Sequence, residues 1–199
     1  MSRKKGPRIS SGSLRGRTLE VPEGKTVRPM RTRVREAMFN HLATRVRGAR
    51  FLDVFAGSGA IGIEALSRGA HRAVLVENGA TVLPILRRNV ANLDLGKRCE
   101  ILTADIHREG IGALVREDPF DLVFLDPPFP DFRGGPHPRT LLEAIVASRV
   151  LVDGGLIGCE RPSDLSADED PPGSEIEFRR EYGDTTLEFW RKITPEPRS

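Results

Sequence analysis

Phe51 to Leu66, FLDVFAGSGAIGIEAL, passes from an apolar run through a cluster of glycines into a second apolar stretch. The run at 51–56 reads as a buried strand, and the stretch near 60–68 reads as a helix. Between them Gly57, Gly59 and Gly62 spell G-x-G-x-x-G, and Glu77 ends the next apolar run, AVLVE at 73–77. Glycines let a strand-to-helix turn pass close to a ligand, and an acid at the end of the following strand suits a ribose diol. The pattern alone fits a nicotinamide dinucleotide equally well, or a tight turn that holds nothing.

Outward from this turn, strand and helix alternate. Strands are expected at 51–56, 73–77, 99–104, 120–125 and 155–159, with helices near 60–68, 80–93, 107–117 and 139–149. Alternation of this kind predicts a doubly wound, mostly parallel α/β sheet covered on both faces. Pro84 is compatible with the second of these helices if Thr81 caps it and the proline falls in the first turn. Upstream, Arg8–Val21 predicts a small hairpin turning at Gly12-Ser13. A helix follows, with Val34, Ala37, Met38, Leu42 and Val46 on one side and Thr32 as its N-cap. Downstream, the acidic, proline-rich stretch 161–174 predicts a loop, and 175–192 predicts an edge hairpin turning at Gly183-Asp184. The expected division is a basic extension over 1–47 and an α/β domain over 48–199.

The 199 residues are 38% hydrophobic and 30% charged, which suits one soluble domain with a small extension. No apolar run is long enough to span a membrane, and the basic start lacks the apolar stretch of a signal peptide. A cytoplasmic protein without membrane contact is expected. Cys99 and Cys159 each lie in an apolar run, as buried free thiols would, and His41, His71, His107 and His137 are scattered, so no metal site is expected. Net charge is +3, but residues 1–50 hold 14 Lys and Arg against Glu20, Glu23 and Glu36. The remaining residues hold 17 against 25 acids. That polarity suggests an anionic partner for the N-terminal quarter, with Arg15, Arg17, Arg28, Arg31, Arg33 and Arg35 as candidate RNA contacts.

Two features favour S-adenosylmethionine over a dinucleotide. Asp53 lies within the first strand, where its carboxylate approaches the glycine turn. A charge there suits a cationic amino group and would repel a pyrophosphate. The second feature is FDLVFLDPPFPDF, Phe120 to Phe132, in which a core strand stops at Asp126-Pro127-Pro128-Phe129. Prolines cannot continue a ladder, and a carboxylate at a strand mouth needs solvent or a partner. In a doubly wound sheet the ligand lies beyond the carboxyl ends of the strands. Asp126 and the Pro127 carbonyl can then accept both hydrogens of an exocyclic base amine and aim its lone pair at a methyl donor. Phe129 offers a surface on which a flipped base stacks. Asp105, after the third strand, can take an adenine amino group or can simply cap the next helix. From these residues alone the methylated base stays open: guanine N2, adenine N6 or another exocyclic amine of a nucleic acid. A non-enzymatic RNA-binding module accounts for the basic N-terminus but leaves the turn and tetrad unused.

The tetrad resembles the D/N-P-P-Y/F motif of nucleobase amino-methyltransferases. With ISSGSLRGRTLEVP, RPMRTRVREAMFNHL, FLDVFAGSGAIGIEALSRGA, VFLDPPF and YGDTTLEFWRK, the chain over about residues 8–193 resembles the RsmD-like bacterial small-subunit rRNA guanine-N2-methyltransferases. The resemblance implies a Rossmann-like class I methyltransferase fold, a seven-stranded sheet whose last strand is antiparallel. It implies S-adenosylmethionine as donor, S-adenosylhomocysteine as product, and a guanine of 16S rRNA in assembling small-subunit particles as substrate. A monomer is expected. The expected cofactor set is Asp53, Phe55, Gly57, Ser58, Gly59, Glu77, Asn78, Asp105 and Ile106, and the expected catalytic set is Asp126, Pro127 and Phe129. Asn78-Gly79 and Met30-Arg31-Thr32 depart from the family pattern.

Overall fold

The computed structural model describes residues 6–22, 30–116, 118–128, 131–132, 138–165 and 169–193. Along the chain come α1 (Thr32–His41), β1 (Arg50–Val54), α2 (Ala60–Ser67), β2 (Arg72–Glu77), α3 (Leu83–Asn92) and β3 (Cys99–Thr103). Then follow α4 (Ile106–Glu109), a 3-10 turn (Gly110–Leu114), β4 (Phe120–Leu125), α5 (Pro138–Ala147), β5 (Leu151–Pro162), β6 (Ser174–Tyr182) and β7 (Thr185–Lys192). The strands form one seven-stranded sheet in the order β3-β2-β1-β4-β5-β7-β6. Residues 1–105 and 106–199 form two compact units.

In the first unit β1 and β2 pair in parallel, with Asp53 opposite Leu75, and β2 pairs in parallel with β3. Parallel neighbours need crossover connections, which α2 and α3 supply. Phe51, Leu52, Val54, Val74, Leu75 and Val76 are all buried, with no alternation of apolar and polar faces, the pattern of a sheet covered on both sides. Every residue of α2 is buried, Glu64 and Ser67 included. A helix buried all round must be covered on its outer face too, and residues 8–14 with α1 provide part of that cover.

The expected N-terminal hairpin is present in short form, an antiparallel bridge from Arg8 to Thr18 with the Ile9 N–H on the Arg17 carbonyl at 2.9 Å and the Leu19 N–H on the Pro7 carbonyl at 3.0 Å, closed by turns over 11–16. The backbone groups around its turn are taken by α2. The Ser13 N–H donates to the Ser67 carbonyl at 2.8 Å and the Leu14 N–H to Ser67 Oγ at 2.9 Å, while Ser67 Oγ donates to the Ser11 carbonyl at 2.6 Å. Gly12 has φ of +82° there, and a Cβ would come within 1.9 Å of the Ser67 carbonyl oxygen. Ile9 and Leu19 are buried. Two expected caps also differ. Thr32 is the first helical residue of α1, behind Arg31, and α3 starts at Leu83 behind Val82; neither cap position makes a side-chain bond. Pro84 does fall in the first turn of α3.

In the second unit β4 pairs in parallel with β5, β7 pairs antiparallel with β5, and β6 pairs antiparallel with β7 at the sheet's edge. β5 is longer than its apolar core suggests. Pairing with β7 carries it through Arg161 to Pro162, opposite Thr185, so part of the expected loop is strand. The helix expected at 107–117 is one α turn followed by a 3-10 turn ending at Leu114. Gly110 at φ +66° cannot continue a right-handed helix. No helix among the described residues is long and apolar enough to cross a membrane.

Candidate active site

Asp53 sits in β1 with none of its surface exposed. Its Oδ2 accepts the Gly62 N–H at 2.9 Å, and its Oδ1 has no hydrogen-bond partner among the described residues. Burial pushes its carboxyl up to about 7; the Gly62 N–H opposes the rise and nearby Glu77 adds to it. Gly62 is therefore a donor and a packing position as well as a motif letter. A Cβ there would come within 2.1 Å of Leu75 Cδ2.

The turn that follows is held in left-handed geometry by Phe55 at φ 68°, Gly57 at φ 56° and Gly59 at φ 84°. For Phe55 this conformation costs roughly 1–2 kcal/mol, which the surrounding bonds must offset. The Ala56 N–H donates to the Val76 carbonyl at 2.9 Å. Glu77, at the end of β2, accepts the Gly57 N–H through Oε2 at 2.9 Å. Its Oε1 accepts the N–H groups of Asn78 at 3.0 Å and Gly79 at 2.7 Å. The predicted ribose acid is thus also the strut that fastens the glycine turn to β2. A carboxylate has about four acceptor directions, so Oε2 keeps one for a hydroxyl. Gly59 packs on α3, where a Cβ would meet Leu86 Cδ1 at 2.6 Å. Ser58 is buried, Asn78 is exposed, and Asp105 is half-buried just after β3.

In the second unit Ile106 is buried at the start of α4. Asp126 is half-buried immediately beyond β4, followed by buried Pro127 and exposed Pro128. The Pro128 carbonyl accepts the Asp131 N–H at 2.9 Å, and Asp131 Oδ2 lies 3.1 Å from His107 Nε2. Phe129 lies outside the described residues. Cys159, opposite Leu125 in the β4–β5 ladder, is a buried free thiol pushed well above its ordinary range, by burial first and then by Glu188 and Asp126. Cys99 is likewise pushed up to about 12, mainly by burial. Among the described residues no group of His, Cys, Asp and Glu is placed to hold a metal ion.

Of the candidate RNA contacts, Arg15, Arg17, Arg31 and Arg33 are exposed, and Arg28 lies outside the described residues. Arg35 departs from expectation. It is fully buried, its Nε donates to Glu64 Oε2 at 2.8 Å, and its Nη2 donates to the Arg8 carbonyl at 2.7 Å. A guanidinium so enclosed ties α1 to α2 and the N-terminal segment and offers nothing to a phosphate. Arg68 and Ser10 also bond Glu64. Burial alone would raise the Glu64 carboxyl, but the bonds from Ser10, Arg35 and Arg68 outweigh it and hold the group below its ordinary value. Sequence reasoning passed over Glu64 and likewise Asn89, a buried amide of α3. The available signal was a polar side chain within an otherwise apolar helix face.

A seven-stranded sheet in this order, with a glycine turn after the first strand and an acid closing the second, defines a Rossmann-like class I methyltransferase fold. The family described as "Conserved hypothetical protein 95" matches residues 7–191. "Putative rRNA methyltransferase YlbH" of Bacillus subtilis is 33% identical over 186 residues, 93% of this chain and 98% of that protein. "Ribosomal RNA small subunit methyltransferase D" of Escherichia coli K12 is 42% identical over 123 residues, 61% of this chain and 60% of that one. A solved structure, "Putative methyltransferase yhhF from Escherichia coli", superposes with a TM-score of 0.80 at 33% identity, covering 94% of this chain and 98% of the other. The chain belongs to this family, that of the RsmD-like methyltransferases.

Proposed function

We propose that the protein transfers a methyl group from S-adenosylmethionine to the exocyclic N2 amine of a guanine in 16S rRNA of the assembling small subunit. Family membership and the relatives' names support methyl transfer to ribosomal RNA. The choice of guanine N2 rests on the resemblance of the tetrad and its flanking motifs. The observation that carries the reading is Asp126-Pro127 emerging directly from buried β4 in a chain of this family.

The residues present fit the donor. Asp53 Oδ1, buried and without a hydrogen-bond partner among the described residues, suits its amino group; Glu77 Oε2, bonded among the described residues to the Gly57 N–H, keeps an acceptor direction for a ribose hydroxyl; Asp105 suits the adenine amine. Gly57 and Ser58 shape the turn, and Phe55, Asn78 and Ile106 complete the proposed contact set. The donor supplies an electrophilic methyl on a sulfonium. Asp126 and the Pro127 carbonyl accept the hydrogens of the target amine and hold its lone pair in line, while Phe129 stacks the base. Asp126 need not be a strong base, since the amine becomes acidic only as its nitrogen gains the methyl, and the proton then leaves to water. The hydrogen bond to Asp126 strengthens as that nitrogen turns cationic. Residues 1–47 serve as the docking extension, with Arg15, Arg17, Arg31 and Arg33 on phosphates. The enzyme works as a cytoplasmic monomer.

Single-turnover methylation of undermethylated small-subunit particles, with mass mapping of the product nucleoside, tests this. N2-methylguanosine from the wild type and roughly 10²–10³-fold slower transfer by a folded Asp126→Ala variant are expected. N6-methyladenosine would overturn the choice of base, and a wild-type rate from Asp126→Ala would overturn the role of the tetrad.

A further inference from the structure

Asn89 lies on α3 and is 3% exposed. Its Oδ1 accepts the Glu20 N–H at 2.8 Å, and its Nδ2 donates both to the Glu20 carbonyl at 3.0 Å and to the Ser58 carbonyl at 2.9 Å. A side-chain amide has two donor hydrogens and one acceptor oxygen. Here the oxygen and one hydrogen pair with the Glu20 backbone at two points, as a neighbouring strand would. The other hydrogen goes to the middle of the glycine turn. The reverse orientation of the amide would set its oxygen against two carbonyls, so the partners fix it.

A residue that merely satisfied the Glu20 backbone would account for two of these bonds and leave the third unexplained. That third bond adds to a second hold on the same turn, because Gly59 packs against Leu86, three residues before Asn89 on the same face of α3. The segment on the other side of the clamp leads back to exposed Arg17 and Arg15 through buried Leu19, whose N–H donates to the Pro7 carbonyl at 3.0 Å. Arg17 also reaches α3, through Nη2 to the Asn92 carbonyl at 3.4 Å.

We propose that Asn89 is a positioning residue that clamps the Ser58 carbonyl of the glycine turn to the Glu20 backbone, so that occupancy of the turn and placement of the arginine-bearing segment are coupled. The inference rests on the reading of the turn as the cofactor loop. Coupling of binding free energies is reciprocal. A polyanion that settles the segment therefore tightens the cofactor by the factor by which the cofactor tightens the polyanion. Substrate particles would find the enzyme best when it is loaded.

Hydrogen exchange of single amides in the full-length protein tests the clamp, with S-adenosylhomocysteine as the probe. The Glu20 amide of the wild type should exchange roughly 5-fold or more slowly at saturating probe, at the low end of usual coupling factors, while the Ser174 amide keeps its rate. In Asn89→Ser, whose side chain is too short to span both carbonyls, the probe should bind about 10-fold more weakly and the slowing at Glu20 should vanish. An unchanged Glu20 rate in wild type with bound probe overturns the inference, as does equal slowing at Ser174 or slowing that persists in the variant. The wild-type measurement decides alone if the variant does not fold. Failure of the probe to bind the wild type overturns the cofactor reading and this inference with it.

Discussion

Replacing Asp53 by asparagine should stabilise the protein at high pH while weakening cofactor binding. The carboxyl is fully buried and rises from 3.8 to about 7. Below the lower value it is protonated in both folded and unfolded chains and costs nothing. As pH rises toward 7 the unfolded chain releases its proton first, so the folded state loses stability, and above 7 the whole cost is present. At 1.36 kcal/mol per pH unit that interval amounts to about 4 kcal/mol as an upper bound. Asparagine cannot ionise and keeps an oxygen for the Gly62 N–H, but it places an amide group where Oδ1 has no partner among the described residues. An unsatisfied buried donor costs about 1–3 kcal/mol. The variant should therefore melt near or below the wild type at pH 5 and several degrees above it at pH 8, where 1 kcal/mol is worth about 2–4 °C for a chain of this size. Calorimetric titration with S-adenosylhomocysteine at pH 8 should show a loss of about 1.5–3 kcal/mol, the usual worth of a hydrogen bond to a charged group. Wild-type affinity should itself climb as pH rises through 7 and Asp53 ionises. A melting difference that ignores pH, or undiminished affinity in the variant, would refute the reasoning.

Asp126→Asn keeps an acceptor oxygen and should lose less single-turnover rate than Asp126→Ala, with both variants binding S-adenosylhomocysteine as the wild type does; equal losses would show that the negative charge is what matters. Arg15→Ala with Arg17→Ala should weaken binding to small-subunit particles and flatten its dependence on salt, because each lost phosphate contact lowers the slope. An unchanged slope in filter binding counts against that segment as a docking surface. Arg35→Ala removes one side of a fully buried ion pair and should cost about 3–5 kcal/mol in denaturant unfolding, whereas a change in RNA affinity at constant stability would return Arg35 to the set of phosphate contacts.

The sequence by itself determined most of the elements and their order. Apolar runs, periodicity and glycine punctuation act over a few residues, so β1, β2, β4 and the β6–β7 hairpin were legible within a residue or two, and the glycine turn with Glu77 marked the side proposed for the cofactor. Tertiary structure decided where polar groups find partners, because those partners lie far apart in the chain. Ser10 and Glu64 meet across 54 residues and Glu20 and Asn89 across 69, distances over which no local pattern carries information. The N-terminal hairpin stayed short because Ser67 and Glu64 took the backbone and side-chain bonds around its turn. Arg35 left the phosphate-binding set because a buried carboxylate lay within its reach. β5 outran its apolar core because β7 offered a ladder as far as Thr185. Glycine letters in a motif do not say whether the missing Cβ makes room for a ligand or for Leu75 and Leu86; only the packed neighbours of Gly62 and Gly59 answer that.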